Sequence, residues 1–190
     1  MHTLRSSLLV SILLALAGCG GAAVKPDAAP ARIPFDGDLY ASAARESASG
    51  RDAEHFLRDG DPAERFAKRL TIAEFDASGG AKGVAQGVVQ LARLRTPGLL
   101  PETFAAEGNE QHDISVSWVV LTDDNSAVEY HAARFVDLAP PRVREYHFIW
   151  RRYTNGADPD AVLGEMQPQI DSLLPRWVGR LNGLDRAPQR

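Results

Sequence analysis

One cysteine, Cys19, and three lysines, Lys25, Lys68 and Lys82, are all that a chain of 190 residues holds of those two types. A single thiol excludes a disulfide within the chain, so the folded part must be held by its core. Arginine makes up for the scarce lysine, yet 21 basic side chains stand against 25 acidic ones, a formal net charge of -4. No broad cationic surface is expected, and nucleic acid is not an expected partner. The longest apolar run, Leu8 to Ala17, is about ten residues, well short of the roughly 20 that cross a bilayer. Signatures of catalysis are missing too: there is no G-x-S-x-G, HExxH or His-x-His, and Gly79-Gly80 with Gly83 lacks the spacing and the Lys-Ser/Thr of a phosphate loop. Lys82 reads as an exposed side chain, and no metal or cofactor is expected.

What is present begins at the N-terminus. Met1 to Ser7 carry one charge, Arg5, ahead of the apolar run, which is the pattern of an export signal. The run has no polar face and starts at the terminus, which argues against a buried amphipathic helix. Leu16-Ala17-Gly18-Cys19 resembles the lipobox of bacterial lipoproteins. The resemblance implies cleavage between Gly18 and Cys19, a thioether from Cys19 to diacylglycerol and acylation of the new amine. Cys19 is then a lipidation site, because each buried methylene adds about 0.8 kcal/mol and several chains anchor firmly. Gly20 and Gly21 follow where an aspartate would retain the protein at the inner membrane, so the resemblance implies a lipid anchor in the outer membrane, facing the periplasm of a Gram-negative cell.

From Gly20 the sequence "GGAAVKPDAAPARI" has no hydrophobic period and reads as a tether. The expected division is a signal peptide at 1–18, lipidated cysteine and tether at 19–33, one domain at 34–184 and a polar tail at 185–190. Within the domain, "LYASAARESASGRDAEHFLRDGD" reads as two strands around Ser49-Gly50. Asp61-Pro62-Ala63-Glu64 has the form of a capping box before a short helix that buries Phe66, followed by a strand at "RLTIAEF". The segment "FLRDGDPAERFAKRLTIAEF" is similar to a stretch of small uncharacterised bacterial lipoproteins and secreted proteins, and carries no catalytic motif. Residues 81–95 place Val84, Val88, Leu91 and Leu94 at helical spacing, and "LLPETFAAEGNEQHD" reads as a connection.

Period-two alternation is clearest from Ile114 to Tyr153. Ile114, Val116, Trp118 and Val120 form one face of a strand, Asp123-Asp124-Asn125 turns the chain, and two more strands follow. Matching apolar sets pairs Val120 with Val128 and Trp118 with Tyr130, giving an aromatic layer of Trp118, Tyr130, Tyr146, Phe148 and Trp150. A last helix, capped by Asp158 and started by Pro159, carries Leu163, Met166, Ile170, Leu173, Trp177 and Leu181 over that layer, with Pro168 and Pro175 expected to kink or divide it. The fold class is α+β, a mainly antiparallel sheet with helices packed on one face.

The same register gathers Ser117, Glu129, His131, Glu145, His147 and Arg151 on the opposite sheet face. They are the candidates for an acid/base or zinc cluster, set against the plainer reading of a solvated face with a Glu129–Arg151 ion pair. His112-Asp113 reads as a loop pair. Arg176, Arg180, Arg186 and Arg190 form a basic end that could meet anionic lipid. The expected function is non-enzymatic: a lipid-anchored lipoprotein with a binding or assembly role towards another envelope protein, an immunity-type inhibitor being one form. The alternatives are a carrier of a lipid or small hydrophobic ligand, and a hydrolase using the His131/His147 face.

Overall fold

A computed structural model describes residues 31–96, 101–105 and 111–184. The signal peptide, Gly18, Cys19, the tether up to residue 30 and the tail at 185–190 with Arg186 and Arg190 lie outside the described residues. Eight strands form one antiparallel sheet: β1 (Arg32–Phe35), β2 (Asp38–Ala48), β3 (Arg51–Arg58), β4 (Lys68–Asp76), β5 (Glu102–Ala105), β6 (Asp113–Leu121), β7 (Ala127–Asp137) and β8 (Arg142–Tyr153). Their spatial order is β1-β2-β3-β4-β8-β7-β6-β5. Two meanders of four strands thus lie side by side, joined where β4 pairs with β8. Helix α1 (Gly80–Arg95) carries the chain from β4 to the far edge, and α2 (Pro159–Gly183) closes the described chain. Among the described residues no helix is long and apolar enough to cross a membrane.

The α+β class and the antiparallel sheet are as the sequence implies. The expectation of helices on one face holds for α2 only, because α1 takes the other face. In β7 the neighbours Ala132 and Ala133 point to opposite sides, Ala132 into the core under α2 and Ala133 into the core under α1. Both faces of the central strands are therefore covered, and β6 buries Ser115 and Ser117 as well as Ile114, Val116 and Val120.

The register of the β6–β7 hairpin differs from the apolar match by one residue. Trp118 lies opposite His131 and Val120 opposite Glu129. The turn decides this: Asp124 Oδ1 accepts from the Ser126 amide and the Thr122 hydroxyl, and the Thr122 amide donates to the Ala127 carbonyl. This fixes a four-residue loop at 123–126, and a one-residue change in register turns a whole strand over. Trp118 leaves the aromatic layer, which keeps Tyr130, Tyr146, Phe148 and Trp150 beneath α2, with Tyr130 opposite Trp150 as expected.

The other departures are local. The Asp61 segment forms only a 3-10 turn at Ala63–Arg65 with no side-chain cap, and the Asp61 carboxylate accepts from Arg58 and the Ala67 amide instead. Phe66 is buried as expected. On α1 the buried side chains are Ala81, Ala85 and Ala92, while Leu91 and Leu94 are 61% and 78% exposed. Close approach to the sheet selects the small side chains. The connection after α1 contains a strand, β5, paired with β6. Helix α2 is continuous through Pro168 and Pro175. Both prolines are exposed, as are Gly164 and Asp171, whose carbonyls lose a donor there. Asp158 caps α2 as expected, accepting from the Asp160 amide.

Candidate functional site

On the face that α1 partly covers, the sheet brings together five of the six polar candidates. Glu129 and His131 project from β7, and Glu145, His147 and Arg151 from β8, with Glu129 opposite Arg151. They form one continuous chain of contacts. Arg51 Nη2 meets Glu145 Oε2 at 2.8 Å, Glu145 Oε1 meets His147 Nδ1 at 3.2 Å, and His147 Nε2 meets His131 Nδ1 at 2.9 Å. The chain continues from His131 Nε2 to Glu129 Oε2 at 3.0 Å and ends where Arg151 Nε donates to Glu129 Oε1 at 2.6 Å. Trp118, brought to this face by the observed register, stacks on His131 with ring centroids 4.8 Å apart.

Ser117 is not part of the array. It is buried on the α2 side opposite Ala132, where the one-residue register difference puts it. His112 and Asp113 are separate ion-pair partners, His112 of Asp137 at 2.7 Å and Asp113 of Arg134 at 2.7 Å. The Gly79-Gly80 helix start is occupied by Asp137, whose Oδ1 accepts from the Ala81 amide at 2.6 Å, so an anion there would meet a carboxylate. Lys82 is exposed and donates to Gln111. Arg176 pairs with Asp36 at 2.6 Å, and Arg180 is exposed.

Electrostatics keeps the array intact. Burial pushes His131 down from 6.5 to about 4, with His147 adding to the fall and the hydrogen bond to Glu129 opposing it. Burial alone would raise Glu129, but its contacts with His131 and Arg151 outweigh that and hold it at about 2. Glu145 is likewise raised by burial and lowered further by His147 and Arg51, for a net fall. The array links Glu129 to Glu145 through two rings and three contacts in series. Each of its ring nitrogens is engaged by another member, and among the described residues no group of three or more ligating side chains is arranged to hold a metal ion.

Three neighbours were invisible in the local pattern. His55 on β3 meets Thr71 on β4 at 3.0 Å and Glu46 on β2 at 3.4 Å. Arg51 reaches Glu145 from β3. Arg69 on β4 has a buried Nε without a hydrogen-bond partner, its guanidinium lying 4.6 Å from the Phe66 ring centre, with that of Arg151 at 4.1 Å from the same ring. Arg51 and Arg69 reach the array only because β4 pairs with β8, strands far apart in sequence.

The opposite face offers space instead of charge. Beyond the end of α2, a trough of about 750 Å³ is floored by Phe56, Ile72 and Tyr146 and walled by Ile33 and Leu184. Its rim is charged but internally paired, Arg144 with Glu74 at 2.6 Å and Arg45 with Glu54 at 3.0 Å.

Comparison with known proteins adds no relative. No protein-family model matches the chain, and a search of curated proteins finds no match.

Proposed function

We propose that the chain is a lipid-anchored envelope lipoprotein whose domain acts by binding another envelope protein, without catalysis. Cys19 carries the lipid, the tether spaces the domain from the outer membrane, and the domain faces the periplasm. The observation that supports a binding role is the trough at the end of α2, an open apolar-floored surface beside a charged rim. The polar array on the other face is engaged with itself.

Intact mass of the mature protein tests the anchor: it should begin at diacylglyceryl-modified, N-acylated Cys19, and Cys19→Ala should lose membrane retention while folding normally. A bare thiol at Cys19, or equal retention of a processed Cys19→Ala protein, overturns the proposal.

The volume of the trough supports a second reading, a carrier of a lipid or small hydrophobic ligand, since small-molecule sites commonly occupy roughly 300–1,000 Å³. Organic extraction of the purified protein separates the two. One lipid per chain, lost in Ile72→Arg, favours the carrier.

A further inference from the structure

Among the described residues, the part of β2 beyond β1 is an unpaired edge of the sheet, and it lies beside this trough. β1 pairs with β2 only from Asp38 to Ala41, the last contact being the Ser42 amide donating to the Ala31 carbonyl. Among the described residues nothing pairs with the outer side of β2 from Ala43 to Ala48, and all six residues are exposed. The hairpin to β3 fixes which amides face outward. Ser49 and Gly50 both have positive φ, 52° and 78°, the type I′ geometry that closes on a hydrogen-bonded pair, here Ala48 with Arg51. Alternation then turns Ala48, Glu46 and Ala44 towards β3 and leaves the N–H and C=O of Arg45 and Ser47 pointing off the edge. Both residues also border the trough.

Resting on the binding role above, we propose that β2 receives an extended segment of a partner protein as an added strand along Ala43–Ala48, with the segment's alternate side chains entering the trough. An outward row of unpaired N–H and C=O groups is complemented by another extended backbone. The charges specify the segment. The Arg45 side chain turns to the trough side, where it meets Glu54, and that of Glu46 to the other, where it meets His55, so the segment carries an acidic residue opposite Arg45 and a basic one opposite Glu46. The register shift between Ser42 and Ala44 bends the edge and excludes indiscriminate pairing.

Two other occupants fit less well. The chain's own tether carries Pro26 and Pro30, each missing the amide that a ladder needs. A second copy pairing two-fold about Arg45 or Glu46 would set like charges opposite one another.

Ser47→Pro is the direct test, because it removes an outward amide and leaves the ladder to β3 intact, whereas Ser47→Ala keeps that amide. The mature chain is used to select octapeptides from a random displayed library, and binding is read with amide exchange of Arg45 and Ser47. The expected result is enrichment of alternating apolar peptides with an acid and a base at adjacent positions, on opposite faces, protection of both amides, and binding weakened about tenfold or more in Ser47→Pro but not in Ser47→Ala. A thermal melt of Ser47→Pro matching that of the parent assigns the loss to the edge. If Ser47→Pro unfolds, a photocrosslinker at position 45 replaces it and must label the selected peptide where one at position 93 does not. No enrichment, labelling of residues 20–30, labelling of a second copy, or binding unchanged in Ser47→Pro overturns the strand addition. The lipid anchor is read separately by mass and stands or falls without it.

Discussion

His131 Nδ1 and His147 Nε2 approach to 2.9 Å across β7 and β8, each ring held from its far side by a carboxylate. His131 stays neutral in the fold far below the pH at which it would ionise in the unfolded chain, since burial lowers it to about 4. The unfolded chain therefore takes up this proton first as pH falls. Stability is present above about 6.5 and is lost between there and about 4, by on the order of 3 kcal/mol at most. Glu129, held at about 2, extends the loss, its stabilisation being present above 4.5 and fading towards 2. Urea midpoints should fall steadily from pH 7 to pH 4. His131→Gln retains a donor for Glu129 and an acceptor for His147 but does not titrate, so its curve should be flatter between 6.5 and 4. An equally steep curve removes His131 as the cause.

Glu129 is buried with Arg151 as its permanent counter-charge. Removing one partner of such a pair leaves an uncompensated charge, which costs more than losing both. Arg151→Met should destabilise by about 3 kcal/mol or more. Glu129→Leu combined with Arg151→Met should recover at least half of that. Denaturant midpoints of the two single variants and the double variant close the cycle, and a double variant worse than Arg151→Met contradicts the pairing.

Legibility in the sequence followed the range of the interaction. The strands on either side of Ser49-Gly50, the Asp158 cap and the alternation of β7 and β8 are set by neighbouring residues, and each appears where the pattern puts it. Glu129, His131, Glu145, His147 and Arg151 were grouped correctly because β7 and β8 adjoin in sequence as well as in space. Trp118 and Ser117 changed places because a turn's hydrogen bonds, not apolar matching, set the β6–β7 register. His55, Arg51 and Arg69 could be tied to the array only through β3–β4 and β4–β8 pairing, and the second of these joins residues some 70 positions apart in the chain.

Helix α1 makes the same point through side-chain size. Its sequence spacing favours Val84, Val88, Leu91 and Leu94 as the inward face; Val84 and Val88 do pack half-buried against the core, but the fully buried residues are Ala81, Ala85 and Ala92, and both leucines are exposed. Ala85, 3% exposed, packs in a core with Val116, Ala133 and Phe135. Ala85→Leu should cost about 1–3 kcal/mol through overpacking, and Leu94→Ser should stay within about 0.5 kcal/mol. Thermal unfolding of both variants decides it. A larger loss for Leu94→Ser would mean that the leucines face the interior.

Trp177 ties α2 to the far end of the sheet. Its ring is 1% exposed and packs on Tyr130, Phe148 and Trp150, while Nε1 donates to Asp36 Oδ2 at 2.8 Å in the β1–β2 turn. Trp177→Ala removes ring and donor together and should cost about 3–5 kcal/mol. Trp177→Phe keeps most of the packing and loses a hydrogen bond to a charged acceptor, about 1.5–3 kcal/mol. Asp36→Asn should cost least. Asn keeps an oxygen for the indole and tolerates the φ of 53° at this position, and what it gives up is the charge that the buried carboxylate offers to Arg176 and, at 3.8 Å, to Lys68. Melting temperatures should fall in that order. A larger drop for Asp36→Asn than for Trp177→Phe would shift the weight of this junction from the indole to the carboxylate's charge.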